Sequence, residues 1–188
     1  ALENNKQVLY LLPEIALTTQ IISRLRLYFG DKIGVYHSRF NQNERVEVWN
    51  KQLSPKGYDI ILGARSSLFL PFDRLGLIII DEEHDSSFKQ FEPAPRYHAR
   101  DAAVVLAHKL GAKVVMGSAT PALETMYNAK NGKYGLVTLS QRHGNVSMPK
   151  IITADLAQAH KKKKMQGHFS HQLITEIDAA LANKEQVI

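Results

Sequence analysis

The sequence contains no cysteine in its 188 residues. This absence excludes a disulfide framework and any zinc site built from cysteine thiolates, and it is typical of proteins that work in a reducing compartment. No apolar run is long enough to cross a bilayer, and the N-terminal segment ALENNKQVLY lacks the cationic start and apolar core of a secretion signal. We therefore expect a cytoplasmic protein without a membrane anchor.

Three catalytic signatures are also missing from the sequence. A phosphate-binding loop needs Gly, four residues and then Gly-Lys-Ser/Thr, but the single Gly-Lys pair, Gly132-Lys133, is followed by Tyr134 and lacks the earlier glycine. The Gly-x-Ser-x-Gly turn of serine hydrolases and the HExxH pair of metal hydrolases do not occur either. These absences argue against both hydrolase classes and place any phosphate cradle outside this chain.

The chain carries a net charge of +6 and has an isoelectric point near 9.5. Such an excess of cations favours a polyanionic partner such as nucleic acid, although a merely soluble basic protein has the same balance. Part of the excess lies in the run from Lys161 to Lys164, which is more typical of a solvated loop than of a specific site.

Apolar runs alternate with longer amphipathic stretches along the chain. Alternation of this kind predicts an α/β fold, in which a parallel sheet is covered by helices on both faces. The predicted strands are 7–13, 32–37, 58–64, 75–83 and 112–120, and the predicted helices between and after them are 17–29, 41–52, 98–109 and 122–129.

The organisation into segments follows from where this alternation stops. We predict one α/β domain over residues 1–143 and a connector over 144–169. Residues 170–188 should hold a final helix over 170–183 and then the start of a further strand. Both ends of the chain fall within predicted elements, so we expect the domain to be truncated at its N-terminus.

The most informative segment is LIIIDEEHD, from Leu77 to Asp85. An apolar strand ends there in three carboxylates and a histidine, and ligands of open α/β sheets bind beyond the carboxyl ends of strands. One carboxylate can hold Mg²⁺ through water and another can deprotonate an attacking water. The structural alternative is an acidic surface turn.

Three further segments begin near the ends of predicted strands. They contain hydroxyl side chains, the start of a helix or an arginine. These segments are Met116–Thr125, Leu11–Gln20 and Gly63–Phe69. Hydroxyls can bond a neighbouring carboxylate, and amides or arginine can grip phosphates. Each segment alone is more often an ordinary loop or capped turn.

Taken together, in this order and spacing, the four segments resemble the motor motifs of superfamily 2 helicases. The stretches DEEHDSSFKQ, GARSSLFLPF, RYHARD and MGSATPALET are similar to those of the PriA family of primosomal replication-restart helicases, and the resemblance runs from about Gln7 to Arg142. It implies a RecA-like lobe that lacks its phosphate-loop strand, which would lie beside the strand ending in GSAT.

The resemblance also implies a role for individual residues. Asp81 would hold the Mg²⁺ of Mg-ATP through water, and Glu82 would be the general base, so both would bind the nucleotide. Glu83, His84, Ser118 and Thr120 would couple hydrolysis to movement. The residues implied to lie on DNA are Pro13, Glu14, Thr18, Arg65, Ser66, Phe91, Arg96 and Tyr97.

The function implied by the family is a 3′-to-5′ ATP-dependent DNA helicase that restarts stalled forks and loads the primosome. Its cofactors are ATP and Mg²⁺, and its zinc sites would lie outside this chain. Its partners are forked and single-stranded DNA, single-stranded-DNA-binding protein and primosome components. The chain alone is expected to be inactive. The rival interpretation is a non-catalytic DNA- or partner-binding module, against which the intact DEEH and GSAT motifs argue.

Aromatic residues in the segment from Asp85 to Tyr97 allow two interpretations. Their rings can stack on unpaired bases, and Arg96 can meet a phosphate, which would make the loop a DNA sensor. Alternatively, the rings pin the loop to the core. We favour the sensor for Phe91 and Arg96 and leave Phe88 open between the two.

Overall fold

In a computed structural model of the protein, five short apolar segments form a single sheet. The strands are β1 (Gln7–Leu11), β2 (Ile33–Tyr36), β3 (Ile60–Gly63), β4 (Leu75–Asp81) and β5 (Lys113–Gly117). Their order is β2-β3-β1-β4-β5, and every neighbouring pair is parallel. The predicted parallel α/β sheet is therefore confirmed, with each strand shorter than its apolar run because the ends turn into loops.

The structure describes residues 1–16, 18–37, 40–140 and 150–188. These divide into two units, Ala1–Leu136 and Val137–Ile188, each of which is treated by itself. The predicted helix start at residue 17 and the predicted connector residues 144–149 lie outside the described part. Within the described part, no helix is both long and apolar enough to cross a membrane.

Helices of the first unit cover both faces of the sheet. The unit contains α1 (Thr19–Phe29), α2 (Gln42–Leu53), α3 (Ala99–Leu110) and α4 (Leu123–Lys130), of which α1 packs on one face and α2 and α3 pack on the other. Side chains of β1 alternate between the faces, as strand geometry requires. Leu9 and Leu11 join the core under α2 and α3, whereas Val8 and Tyr10 face Ile22 and Leu25 of α1.

Local sequence explains where several helices begin and end. Asn41 accepts a hydrogen bond from the Glu44 amide while the Glu44 carboxylate accepts one from the Asn41 amide, which forms a capping box at α2. Gly111 ends α3 with φ near 64°, a left-handed conformation that glycine adopts without steric cost.

Strand β5 lies at one edge of the sheet. Among the described residues, no strand pairs with its outer side, and Val115 at its centre is 54% exposed. This open edge agrees with the expectation of a RecA-like sheet that lacks a strand beside the GSAT strand.

The carboxyl ends of the parallel strands lie side by side, and they form what is called here the carboxyl edge of the sheet. Leu11 is in register with Gly63, and Asp81 is in register with Gly117. The segments that follow β1, β3, β4 and β5 therefore emerge side by side. All four segments singled out from the sequence lie at this edge.

The second unit contains elements that the sequence pattern did not predict. Within the predicted connector, the described residues form α5 (Leu156–Lys161) and a hairpin of β6 (Met165–Gln166) and β7 (Phe169–Ser170). Helix α6 (His171–Ala182) lies within the segment where the sequence predicted a final helix, and the Ser170 hydroxyl caps it. The strand start expected before residue 188 stays a prediction; residues 185–188 carry no strand assignment in the structure.

Candidate functional site

The acidic turn after β4 presents Asp81 and Glu82 differently. The Asp81 carboxylate ends the strand and accepts the Glu82 amide through Oδ1 at 3.1 Å. Glu82 follows with φ of 49°, a left-handed conformation that is uncommon for non-glycine residues. This turn leaves the Glu82 side chain 49% exposed, so its carboxylate is available to a ligand.

Glu83 occupies the opposite environment to its neighbour. Its side chain is 1% exposed, and its two oxygens accept hydrogen bonds from Arg100 Nη1 at 3.1 Å, the Ala122 amide at 2.7 Å and the Thr125 hydroxyl at 2.8 Å. These bonds tie the end of β4 to the starts of α3 and α4. Glu83 was predicted to be a coupling residue, and the structure places it inside the protein with its oxygens already occupied.

Arg100 completes this buried network. Its Nε donates to Asp101 Oδ1 at 2.9 Å while its Nη1 donates to Glu83. Burial alone would lower the pKa of Arg100, but the hydrogen bonds to Asp101 and Glu83 outweigh burial and raise it. The guanidinium therefore stays charged in a site from which water is largely excluded.

His84 connects the acidic turn to the loop after β5. Its Nδ1 lies 2.7 Å from the Ser118 hydroxyl, and its Nε2 lies 3.4 Å from the Thr120 hydroxyl. The same Nδ1 is 3.6 Å from Glu82 Oε2. The structure thus brings the predicted general base, Glu82, together with three of the four predicted coupling residues: His84, Ser118 and Thr120.

The segments after β1 and β3 hold the residues predicted to lie on DNA. Glu14, Thr18 and Ser66 are exposed, and the Thr18 hydroxyl caps α1. Pro13 is buried and its carbonyl accepts the Ala16 amide, so it shapes the loop and does not itself present a surface. Arg65 is half-buried and donates hydrogen bonds to the aromatic loop, residues 85–97.

The base of the aromatic loop is fixed by contacts with its surroundings. Arg65 Nη1 donates to the carbonyls of Ser87 at 3.0 Å and Lys89 at 3.2 Å. Tyr97 packs edge-on against Phe69 with ring centroids 5.1 Å apart. Phe88 is 1% exposed and belongs to the main core, which favours the anchor interpretation for this ring.

The tip of the same loop is exposed. Phe91 is 66% exposed, and the Arg96 side chain is 67% exposed with its Nη2 3.9 Å from Glu92. The backbone of the tip is bridged by Gln90, whose side chain donates to the carbonyls of Pro93 and Pro95. A ring and a guanidinium are therefore held outward by a braced backbone.

The residues present fit a hydrated Mg²⁺ site at Asp81. Magnesium is usually bound by one or two carboxylates and keeps several waters, which in nucleotide sites are joined by phosphate oxygens. Asp81 offers a single carboxylate at the carboxyl edge, and the described residues contain no cluster of three or more acidic, histidine or cysteine ligands. A metal here would take most of its ligands from water and a nucleotide.

Sequence reasoning missed four residues that contact the predicted site: Tyr10, Phe69, Arg100 and Thr125. The Tyr10 hydroxyl donates to Asp81 Oδ2 at 2.9 Å, and burial, together with this carboxylate, raises the pKa of Tyr10 to about 12. One signal was available for Arg100. A cation in the first turn of a helix opposes the helix dipole and so implies a nearby carboxylate.

A known protein family matches most of this chain. The family model described as DEAD/DEAH box helicase matches residues 1–129. The chain belongs to the DEAD/DEAH box helicase family. The match includes all five strands of the parallel sheet and the DEEH and GSAT motifs. The RecA-like interpretation of the fold is therefore confirmed.

Individual relatives give a narrower resemblance. The chain is 44% identical to the replication restart protein PriA of Haemophilus influenzae, 45% to that of Rickettsia felis and 38% to that of Bacillus subtilis. Each match covers 100% of this chain but only 25%, 28% and 23% of the relative, respectively. The chain spans about a quarter of the length of these proteins, and the resemblance to PriA inferred from its motifs is confirmed.

Proposed function

We propose that this chain forms the first motor lobe of an ATP-dependent DNA helicase that moves 3′ to 5′ and restarts stalled replication forks. The observation that carries the proposal is the 2.7 Å contact between His84 and Ser118, which joins the DEEH turn to the GSAT loop. An acidic turn on a protein surface has no need of such a link. A motor needs one, because the nucleotide site must report its state to another segment.

Two carboxylates divide the work at the nucleotide. Asp81 would hold the hydrated Mg²⁺ of Mg-ATP, and the ion would supply positive charge to offset that of the phosphates. Glu82, exposed on the left-handed turn, accepts the proton of the water that attacks the γ-phosphate. Their different positions on the turn separate metal binding from proton transfer.

Coupling runs through the hydroxyls of the GSAT loop. His84 lies between Glu82 and Ser118, at 3.6 and 2.7 Å from them. A change in the position or charge of Glu82 during hydrolysis would therefore alter the hydrogen bonds of Ser118 and Thr120. The buried Glu83, which lies just beyond the end of β4, holds the two loops in place while this happens, since its carboxylate accepts hydrogen bonds from the start of α4.

Single-stranded DNA would lie over the other half of the carboxyl edge. Glu14, Thr18 and Ser66 line the segments after β1 and β3, which lie on the opposite side of β4 from β5 in the sheet. Phe91 and Arg96 would meet bases and phosphates from the adjacent loop, and Arg65 and Tyr97 would support that loop. The net charge of +6 is consistent with this partner.

The wider setting comes from the similarity to PriA. A cytoplasmic location, primosome loading, and contacts with single-stranded-DNA-binding protein and primosome components are proposed for a full-length protein that carries this chain. ATP and Mg²⁺ are its proposed cofactors, and any zinc would be held outside the 188 residues.

Replacement of the proposed base tests the role of the acidic turn. In a full-length protein that carries this chain, Glu82→Gln should lower ATP turnover by at least about 100-fold, because general base catalysis contributes roughly 10²–10⁴. Mg-ATP binding should persist, since the side chain keeps its shape. Turnover is measured by phosphate release and binding by a fluorescent ATP analogue.

The matched control is Glu47→Gln, the same chemical change at an exposed position of α2. It should leave turnover and binding unchanged. Normal turnover in Glu82→Gln would show that Glu82 is not the base. Absence of nucleotide binding in the unmodified full-length protein would favour the binding-module alternative.

A further inference from the structure

Tyr10 is a polar side chain near the carboxyl end of strand β1, whose other polar residue, Gln7, lies at the start of the strand. Strand β1 reads QVLYL, and Tyr10 lies in register with Ile79 of β4 on the same sheet face as Asp81. Its ring lines an apolar cavity of about 280 Å³ between α1 and the sheet, together with Leu77 and Ile79. Its hydroxyl reaches along β4 to Asp81 Oδ2 at 2.9 Å.

We propose that Tyr10 is a positioning residue that fixes the orientation of the Asp81 carboxylate for Mg²⁺. The inference rests on the proposed function, in which Asp81 is the metal-holding residue. Groups that hydrogen-bond to a metal ligand orient it, and their loss weakens metal affinity or activity.

The ring alone does not explain a tyrosine at this position. A phenylalanine would fill the same apolar surroundings, and a hydroxyl in such a place is unfavourable unless it has a partner. Asp81 supplies that partner. The hydroxyl therefore contributes a specific bond to the carboxylate and not simply packing volume.

The bond also determines which part of Asp81 remains for a ligand. An ionised carboxylate has about four acceptor positions on its two oxygens. Tyr10 occupies one on Oδ2, and the Glu82 amide occupies one on Oδ1. These two donors hold the carboxylate from β1 and from its own turn, which prevents rotation and leaves a defined side open at the carboxyl edge.

Removal of the hydroxyl tests the inference directly. In a full-length protein that carries this chain, Tyr10→Phe should raise the Mg²⁺ concentration needed for half-maximal binding of a fluorescent ATP analogue, by roughly 10-fold. Electron paramagnetic resonance of Mn²⁺, used as a probe in place of Mg²⁺, should show the same weakening without any turnover. A melting curve confirms that the variant is folded.

Two companion variants separate the possible outcomes. Tyr36→Phe removes a tyrosine hydroxyl from β2 of the same sheet and should leave the Mg²⁺ dependence unchanged. Asp81→Asn should weaken Mg²⁺-dependent binding at least as much as Tyr10→Phe. If Asp81→Asn has no effect, the assignment of the metal to Asp81 fails, and the role of Tyr10 fails with it.

A different result would overturn the inference while leaving the proposed function intact. If Asp81→Asn weakens Mg²⁺-dependent binding but folded Tyr10→Phe retains the normal Mg²⁺ and Mn²⁺ affinities, Tyr10 serves only to pack the sheet. A loss of equal size in Tyr36→Phe would also contradict a specific role for Tyr10.

Discussion

The acidic turn after β4 and the aromatic loop that follows it differ in how their side chains are held. In the turn, Glu83 is buried with three donors around it, and His84 contacts two hydroxyls of another loop. In the loop, Phe91 and Arg96 point outward from a braced backbone. The comparison suggests that the turn is built to keep one arrangement, whereas the loop tip is built to acquire contacts from a ligand.

The two adjacent glutamates of the turn also differ, because one side chain is exposed and the other is buried. Glu82 has a side chain 49% exposed, and Glu83 has one 1% exposed. Identical chemistry at adjacent positions is thus divided between an available carboxylate and a structural one.

The largest effect on stability should come from Glu83→Ala. The substitution leaves the Arg100 guanidinium, which is 9% exposed, without its buried partner, and it frees the Ala122 amide and the Thr125 hydroxyl. Breaking a buried ion pair in this way costs about 3–5 kcal/mol. Chemical denaturation of the variant measures the loss.

Glu82→Ala is the matched control for that measurement. Because its side chain is half-exposed and lacks such a network, its free energy of unfolding should change by no more than about 0.5 kcal/mol. Equal losses in the two variants would contradict the division between the two glutamates.

Two phenylalanines of the aromatic loop, Phe88 at its base and Phe91 at its tip, should also differ in how much they contribute to the free energy of unfolding. Phe88→Ala should lower the free energy of unfolding by about 3–5 kcal/mol, as truncation of a buried aromatic ring does. Phe91→Ala should change it by no more than about 0.5 kcal/mol, because that ring is 66% exposed. A costly Phe91→Ala would make the loop tip part of the core and remove the contrast with the turn.

Much of this arrangement could be predicted from the sequence, because its signals are local. Five apolar runs gave the strands, and the change from apolar to charged residues at Asp81 placed the acidic turn at a strand end. Parallel strands then bring such ends to one edge. The capping box at α2 depends on an equally local signal, since its partners, Asn41 and Glu44, are three residues apart.

The contacts that were missed depend on strand order and on long sequence separation. Tyr10 and Asp81 are 71 positions apart, and they meet only because β1 lies beside β4 in the sheet. The burial of Glu83 depends likewise on α3 and α4 converging over the turn. Composition and periodicity contain neither fact. Helix α5 and the β6–β7 hairpin were missed because each is short and weakly periodic.

Stimulation of ATP turnover by single-stranded DNA tests the central claim most directly. In a full-length protein that carries this chain, Phe91→Ala and Arg96→Ala remove a stacking surface and a phosphate contact, and one stacked base contributes about 1–3 kcal/mol. The ratio of turnover with oligonucleotide to turnover without it should fall towards unity in both variants. In Tyr28→Ala, which removes an exposed ring from α1, the ratio should keep its normal value. Normal ratios in both Phe91→Ala and Arg96→Ala would contradict the account.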